Sequence, residues 1–442
     1  MLRDGSPAER LAAYVTPMAE RPEDATVPEP LAGALTEADL IGLGEATHGT
    51  AQFTRLRRVV LEYMVTELGC RLFALEANYP EALALDAYVA DGEGDPEDAL
   101  EQLNTWVWQT EEMADLLRWI REFNINHPDN DRVRIRGFDA QYVEEAAQAI
   151  RNFLADTDPE FLERVTDDLE TLADERIRGD RYNVANEHIE TAEETVATLK
   201  DRFKNRITEY AARSSKAAVD QIQWHLRTLE GAVAFASESY ETDAPHGAVN
   251  RRDEYMAQSV ISFVTEADGP VAIWGHNGHL LPGTTFPEDE WFTPMGYHLA
   301  ERYGDCYRVV ATDFNRGSFT ATPDPLEVDD PQPTTFTVDP FDKDPPYRNE
   351  TWAPERTVNG VLADHEAEAC YLDVTGAAAD DDLADWLDQH HPVRDIGNAF
   401  WDESTHLTGY RLPKEMVGLL FATKSTPTTV LDRGNGNEGC ID

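Results

Sequence analysis

The sequence predicts an α/β fold: a mostly parallel central sheet flanked by helices, with a large helical insertion forming a cap beside a cleft. Three observations carry this. Short apolar runs alternate with helix-period stretches up to residue 140 and again after 265. Between 141 and 264 strand signals are almost absent, a span too long for an ordinary crossover. Several of the apolar runs stop at an ionisable residue, as expected where parallel strands deliver side chains to a crevice at their carboxyl ends. The expected organisation is an α/β core over 1–140 and 265–425, a helical insertion or cap over 141–264, and a mobile C-terminal tail over 426–442.

Residues 8–19 read as a short amphipathic helix, and the acidic, proline-rich stretch Arg21–Pro30 as a surface linker. Leu40-Ile41-Gly42-Leu43 is the first buried strand, ending in the loop Gly44–Gly49 with Glu45 and His48. Phe53, Leu56, Val60 and Met64 then recur at helical spacing until Gly69. Arg71–Leu75 is a second strand ending in Glu76. Helices are expected over 79–90, 97–104 and 109–124, with Trp106 and Trp108 flanked by Glu111 and Glu112. Val133–Phe138 is a third strand, ending in Asp139.

Helical patterns run over 141–155, 160–176, 182–212, 214–239 and 247–266. Val271–Trp274 is a fourth strand, leading into Gly275-His276-Asn277-Gly278-His279. Beyond it come a helix at 294–303, a strand at Tyr307–Thr312, and short strands within 317–340. Helices near 354–366 and 380–389 flank the strand Ala369–Val374, and Met416–Thr423 is the last strand.

The chain has 442 residues and a net charge of 37 − 85 = −48. A field of that sign repels nucleic acid and anionic membrane, so neither is an expected partner. The acids are spread along the chain, and their repulsion is tolerable where salt screens it to a Debye length of about 3 Å at 1 M. The reading is a salt-adapted protein. It predicts loss of helicity on dialysis to low salt, read by circular dichroism; full helicity in dilute buffer would remove it. Cys70, Cys306, Cys370 and Cys440 form no CxxC pair, so neither a zinc ribbon nor a disulfide framework is expected. Met1–Glu20 lacks a long apolar core and nothing approaches the roughly 20 apolar residues of a membrane span. A cytoplasmic location is the expectation; the oligomeric state is not legible.

Four strand ends thus present Glu45 with His48, Glu76, Asp139, and His276 with His279. Each alone has a bland reading: a loop histidine bonding backbone, a helix cap, a turn residue. Their shared position at one sheet edge is what argues for chemistry. Arg57 reads equally as an ion-pair anchor, and Trp106 and Trp108 as packing. His225, His246, His390, His391 and His406 are background. No G-x-S-x-G elbow, P-loop or G-x-G-x-x-G after the first strand occurs. A histidine base acting on water needs no nucleophilic serine, only an orienting partner. Alternatively, Glu45, His48, Glu76, His276 and His279 make a nitrogen/oxygen donor set for a divalent metal such as zinc, although Glu45-x-x-His48 in a loop is not the helical H-E-x-x-H pair. A third reading is a non-catalytic ligand-binding accessory protein.

The motif set resembles the erythromycin esterase family. The resemblance rests on Gly44-Glu45-Ala46-Thr47-His48-Gly49-Thr50, Arg57, Ala74-Leu75-Glu76-Ala77, Trp106-Val107-Trp108 with Glu111-Glu112, Gly137-Phe138-Asp139, Arg252-Asp253-Glu254-Tyr255-Met256, Trp274–His279 and Met295-Gly296-Tyr297, in the family's order. It implies a metal-independent hydrolase without a cofactor, acting on a small-molecule ester or lactone. In known members the target is a macrolide, a route to antibiotic resistance; some relatives are named for polysaccharide synthesis. By that resemblance His48 is the general base, Glu45 and Glu76 orient it and the water, and His276 assists. Arg57, His279, Asp139, Trp106 and Trp108 line the substrate. Gln52 departs from the family's usual Glu, which would remove a negative charge near the cleft and count against a cationic substrate.

Overall fold

Leu40–Glu45 is buried at every position, so its backbone amides and carbonyls need partners on both sides. It finds them in the middle of a nine-stranded sheet. The computed structural model describes residues 6–172, 186–241, 247–283, 292–324, 328, 331–340 and 357–431. The strands are β1 Val15–Met18, β2 Leu40–Glu45, β3 Leu72–Asn78, β4 Arg134–Asp139, β5 Val271–His276, β6 Tyr307–Ala321, β7 Thr334–Val338, β8 Ala369–Asp373, β9 His391–Arg394, β10 Leu407–Tyr410 and β11 Gly418–Ser425. The sheet order is β1-β8-β11-β6-β2-β5-β3-β4, with β7 on β6; β9 and β10 form a separate ribbon. From β11 through β6, β2, β5 and β3 to β4 every pairing is parallel. β1, β7 and β8 join antiparallel, so the sheet is mixed but mostly parallel.

Alternate strand residues face opposite layers, as the two-residue period requires. Ile41, Leu43, Phe73, Leu75 and Trp274 pack with Leu56, Val60 and Met64 of helix α1 (Ala51–Thr66) and with Leu116 and Ile120 of helix α2 (Glu111–Ile125). Leu40, Ala74, Val271 and Ile273 pack on the other face with Met256, Val260 and Phe263 of helix α3 (Gly247–Glu266). Leu56, Val60 and Met64 are fully buried; each contributes about 1.5–3 kcal/mol by leaving water. The helices between β4 and α3 keep a separate apolar core that includes Ile150, Leu154, Leu199, Phe203 and Leu229. No described helix is long and apolar enough to cross a membrane.

Several expectations are corrected. The helix expected over 8–19 ends at Leu11, and Val15–Met18 is an edge strand instead. Pro17 is tolerated there because an edge residue need not donate to a second neighbour. The strand expected at Tyr307–Thr312 runs on to Ala321. β9 and β10, four residues each, were not expected at all. Of the stretch 426–442 expected to be a mobile tail, Thr426, Thr428 and Leu431 are tied by backbone hydrogen bonds to Ala51, Gly49 and Gln109. Residues 432–442 lie outside the described residues, as do 173–176, 182–185 and 354–356 of the expected helices.

Candidate active site

β2, β5, β3 and β4 are consecutive and parallel, so their carboxyl ends lie along one edge. Glu45 ends β2 in register with His276, the last residue of β5. Glu76 lies near the end of β3 and Asp139 ends β4. Gly44 is required here: a Cβ would lie 2.2 Å from Asn277 Oδ1. The edge opens into a cavity of about 250 Å³, whose wall includes His48, Glu76, Asp139, Arg252, His276 and His279.

Each of the three imidazoles faces a carboxylate. His48 Nδ1 lies 2.6 Å from Glu45 Oε1. The other Glu45 oxygen accepts a hydrogen bond from Arg57 Nη2, and the Arg57 guanidinium lies 3.8 Å above the Trp274 ring centre. Arg57 is fully buried; burial pulls its pKa down to about 10, against the pull of Glu45, so it is charged at neutral pH. His279 Nδ1 lies 2.9 Å from Asp253 Oδ2. His276 Nε2 lies 3.2 Å from Asp395 Oδ1, and its Nδ1 accepts the Gly278 N–H at 3.2 Å. The His48 ring is 5.5 Å from His276 and 5.8 Å from Trp108, edge-on to the indole.

Glu76 links the set. Its Oε2 accepts the His276 backbone N–H at 2.8 Å, and its Oε1 accepts from Arg252 Nη2 at 2.9 Å. Arg252 also grips Asp139 with two 2.8 Å bonds and reaches His279 Nε2 at 3.1 Å. Burial alone would raise the pKa of Glu76, but His279, Arg252 and His48 outweigh it and hold the carboxyl well below its usual range. Burial lowers His276, helped by His48 and His279 and only partly offset by Asp395 and Glu76. Burial also works against charge on His279, yet Asp253 and Glu76 raise its pKa overall. At the far wall Glu81 is buried and pushed up to about 8 by desolvation, although both its oxygens accept bonds from Asn104.

The structure therefore brings Glu45, His48, Glu76, Asp139, His276 and His279 together. It puts Arg57 behind Glu45 and away from the cavity wall. Trp108 is likewise a support: its Nε1–H donates to the Glu76 carbonyl at 3.0 Å, and its ring packs in the core. Trp106 packs against the same core, and the cavity wall at this point is Thr105 and Val107. Gln52 does not line the cavity either. Its Oε1 accepts the Thr426 N–H at 2.7 Å, and its Nε2 donates to Thr426 Oγ1 at 3.0 Å and Glu20 Oε2 at 3.4 Å. The amide thus anchors residues 426–431, and a Glu there would face Glu20; it says nothing about substrate charge.

Arg252, Asp253 and Asp395 are the site residues that the reading of strand ends missed. The first two sit in a helix-period segment, where charges read as a solvated face. Asp395 follows a four-residue strand with no motif around it. Among the described residues, no three His, Cys, Asp or Glu side chains are placed to hold a metal ion.

The sequence profile of the erythromycin esterase family matches residues 65–425. Glu45, His48 and Arg57 precede that stretch. A provisionally named hydrolase of Bacillus subtilis (strain 168) is 22% identical over 281 residues, spanning 60% of this chain and 62% of that protein, a little under two thirds of its length. The erythromycin esterase type II of Escherichia coli is 23% identical over 313 residues, 63% of this chain and 70% of that one. A solved Bacillus cereus protein superposes with a TM-score of 0.78 at 24% identity, covering 96% of this chain and 98% of that one. An erythromycin esterase mutant in its open conformation superposes at 0.69 with 16% identity, covering 95% and 99%. At these identities the superpositions establish the fold.

Proposed function

Because this chain belongs to the erythromycin esterase family, we propose that it is a metal-independent hydrolase that opens a small-molecule ester or lactone with water activated by His48. The observation that carries the proposal is the relay Arg57–Glu45–His48. With Nδ1–H committed to Glu45 at 2.6 Å, the His48 lone pair is on Nε2. Water bound there gives its proton to Nε2 as its oxygen attacks the acyl carbon. Glu45 stabilises the imidazolium, and the buried Arg57 guanidinium, hydrogen-bonded to its other oxygen, balances its charge and fixes its orientation. When the acyl–oxygen bond breaks, Nε2 returns the proton to the departing alkoxide, leaving a free acid and an alcohol. His276 and His279 share the cavity wall with His48 and are the imidazoles that would face the oxyanion. The cavity of about 250 Å³ is below the roughly 300–1,000 Å³ of sites that swallow a whole drug-sized ligand. It suits the ester group and its nearest substituents, with the rest of a larger lactone outside.

The test is an ester and lactone panel, from aryl acetates to macrolides, assayed before and after EDTA with metal analysis alongside. The expected result is hydrolysis of at least one member at a rate EDTA leaves unchanged. Stoichiometric metal lost together with activity would replace the water-and-histidine reading with a metal-assisted one. Ligand uptake with no hydrolysis across the panel would replace catalysis with binding.

A further inference from the structure

Glu76 and Glu81 line the same cavity in opposite surroundings. Glu76 faces Arg252, two imidazoles and a backbone N–H. Glu81 is 3% exposed and sits in the first turn of the helix Tyr79–Asp86, which follows β3. At that position a Glu ordinarily reaches back to the N–H at the helix start. Glu81 turns instead to the loop beyond its helix: Oε2 accepts the Asn104 backbone N–H at 3.0 Å, and Oε1 accepts the Asn104 side-chain amide at 3.1 Å. The same amide nitrogen donates at 3.1 Å to Oε1 of Glu145, in the helix Glu144–Thr157. The two Oε1 atoms are therefore no farther apart than twice that distance. Glu145 Oε2 is shut off from solvent and accepts no hydrogen bond among the described residues.

Among the described residues no Lys or Arg forms an ion pair with either carboxyl. Arg252, the one Lys or Arg of the cavity wall, is spent on Glu76 and Asp139. Arg134 and Arg136, on β4 beside the helix, hold Asp86 at its other end. His225, from the helix Lys216–Glu241, lies edge-on to Tyr79 and is kept neutral by burial. The charges that bear on Glu81 are Glu145 and Asp139, and both repel a further negative charge. Two close carboxyls without a counter-ion hold one proton between them well above the usual carboxylate range. The more buried of the two keeps it: Glu81 is pushed up to about 8, first by burial and then by Glu145 and Asp139, against the two bonds from Asn104. Both Asn104 groups that touch Glu81 are donors, so they do not consume its proton. A carboxyl kept neutral in a site wall is a hydrogen-bond donor to what binds there.

We propose that Glu81 is a substrate-recognition residue of the far wall, its carboxyl O–H donating to an uncharged oxygen, a hydroxyl or carbonyl, carried beside the ester group. This deepens the hydrolytic reading above and rests on it for the kinetic consequence; the proton on Glu81 does not depend on it. When Glu81 ionises, the donor is lost and a negative charge faces the substrate oxygen, so recognition fails while the His48 chemistry continues.

Two readouts test this. The first is ¹³C spectra of protein labelled at the glutamate side-chain carboxyl carbon, with Glu81 assigned by its absence from Glu81→Gln. The expected midpoint is about 8, and it should move lower in Glu145→Gln, which removes a repelling charge. The second is kinetics on esters that carry a hydroxyl beside the ester group, each paired with its deoxy analogue. At pH 7 the hydroxylated member should be favoured in kcat/KM by about tenfold or more. That preference should fade as pH rises through about 8 in the wild type and through a lower pH in Glu145→Gln. It should not vary with pH in Glu81→Gln, whose amide remains a neutral donor. A residue that only anchored Asn104 would hold it at least as well when ionised, and the preference would not follow pH. A Glu81 midpoint below pH 6 overturns the proposal whatever the chemistry turns out to be. A midpoint near 8 with no ester cleaved overturns the hydrolytic reading and leaves the proton assignment standing. A midpoint near 8 with equal rates on both members of every pair overturns the recognition role. Should Glu81→Gln not fold, the wild type and Glu145→Gln decide, because their preferences must fade at different pH values.

Discussion

Replacing His48 with Ala is expected to lower kcat on a cleaved ester by about 10²–10⁴-fold and to leave the fold in place. The ring is the only group of the relay that faces the cavity, so its loss removes the acceptor for the water's proton. What remains behind it is self-consistent. Glu45 and Arg57 are 2% and 0% exposed, and each still neutralises the other after the ring is gone. The variant loses the hydrogen bond to Glu45 Oε1, which water entering from the cavity can replace, and the ring contacts with His276 and Trp108, the edge-on one worth about 0.5–1.5 kcal/mol. Its helical circular dichroism and melting temperature should therefore stay close to those of the parent. A rate within threefold of the parent would remove His48 from the chemistry.

Arg252→Met carries the largest expected effect on stability. Arg252 neutralises both Glu76 and Asp139, and all three are nearly buried. Removing one partner of a buried ion pair costs about 3–5 kcal/mol, because the charge left behind has neither water nor counter-ion. The pH dependence follows from Glu76. Its folded pKa is held below the ordinary value of 4.5, so its contribution to stability is present above 4.5 and is lost as pH falls toward the folded value. Without Arg252 the folded pKa rises and that contribution shrinks. The deficit of the variant should be greatest at neutral pH and should narrow in acid, as urea unfolding at pH 7.5 and pH 4 will measure. A deficit under about 1 kcal/mol at pH 7.5, or one that widens in acid, would contradict the role given to Arg252.

The convergence was legible because its grammar is local. An apolar run followed at once by Glu45, Glu76, Asp139 or His276 can be read without knowing the fold, and parallel pairing then turns chain separations of about two hundred residues into neighbours. The supports were not legible. Arg57 and Trp108 carry side chains that suit a substrate wall, yet the register of α1 and of the turn before α2 points them inward, toward Glu45 and the Glu76 carbonyl. Arg252 and Asp253 look like the wet face of a helix until β4 and β5 are seen beneath it. Asp395 depends on a ribbon of two four-residue strands, too short for a period to emerge, and on contacts to the Ala46–His48 turn that no local pattern reports. The edge strand Val15–Met18 was hidden by its proline and by the helix period that precedes it.

The central claim is that water, not a protein side chain, attacks the acyl carbon. Rapid-quench kinetics on an activated aryl ester, with intact-mass analysis of the quenched protein, tests it directly. The predicted result is linear release of the phenol from the first turnover, with protein of unmodified mass throughout. A burst of phenol matching the enzyme concentration, with a protein heavier by one acyl group, would contradict it.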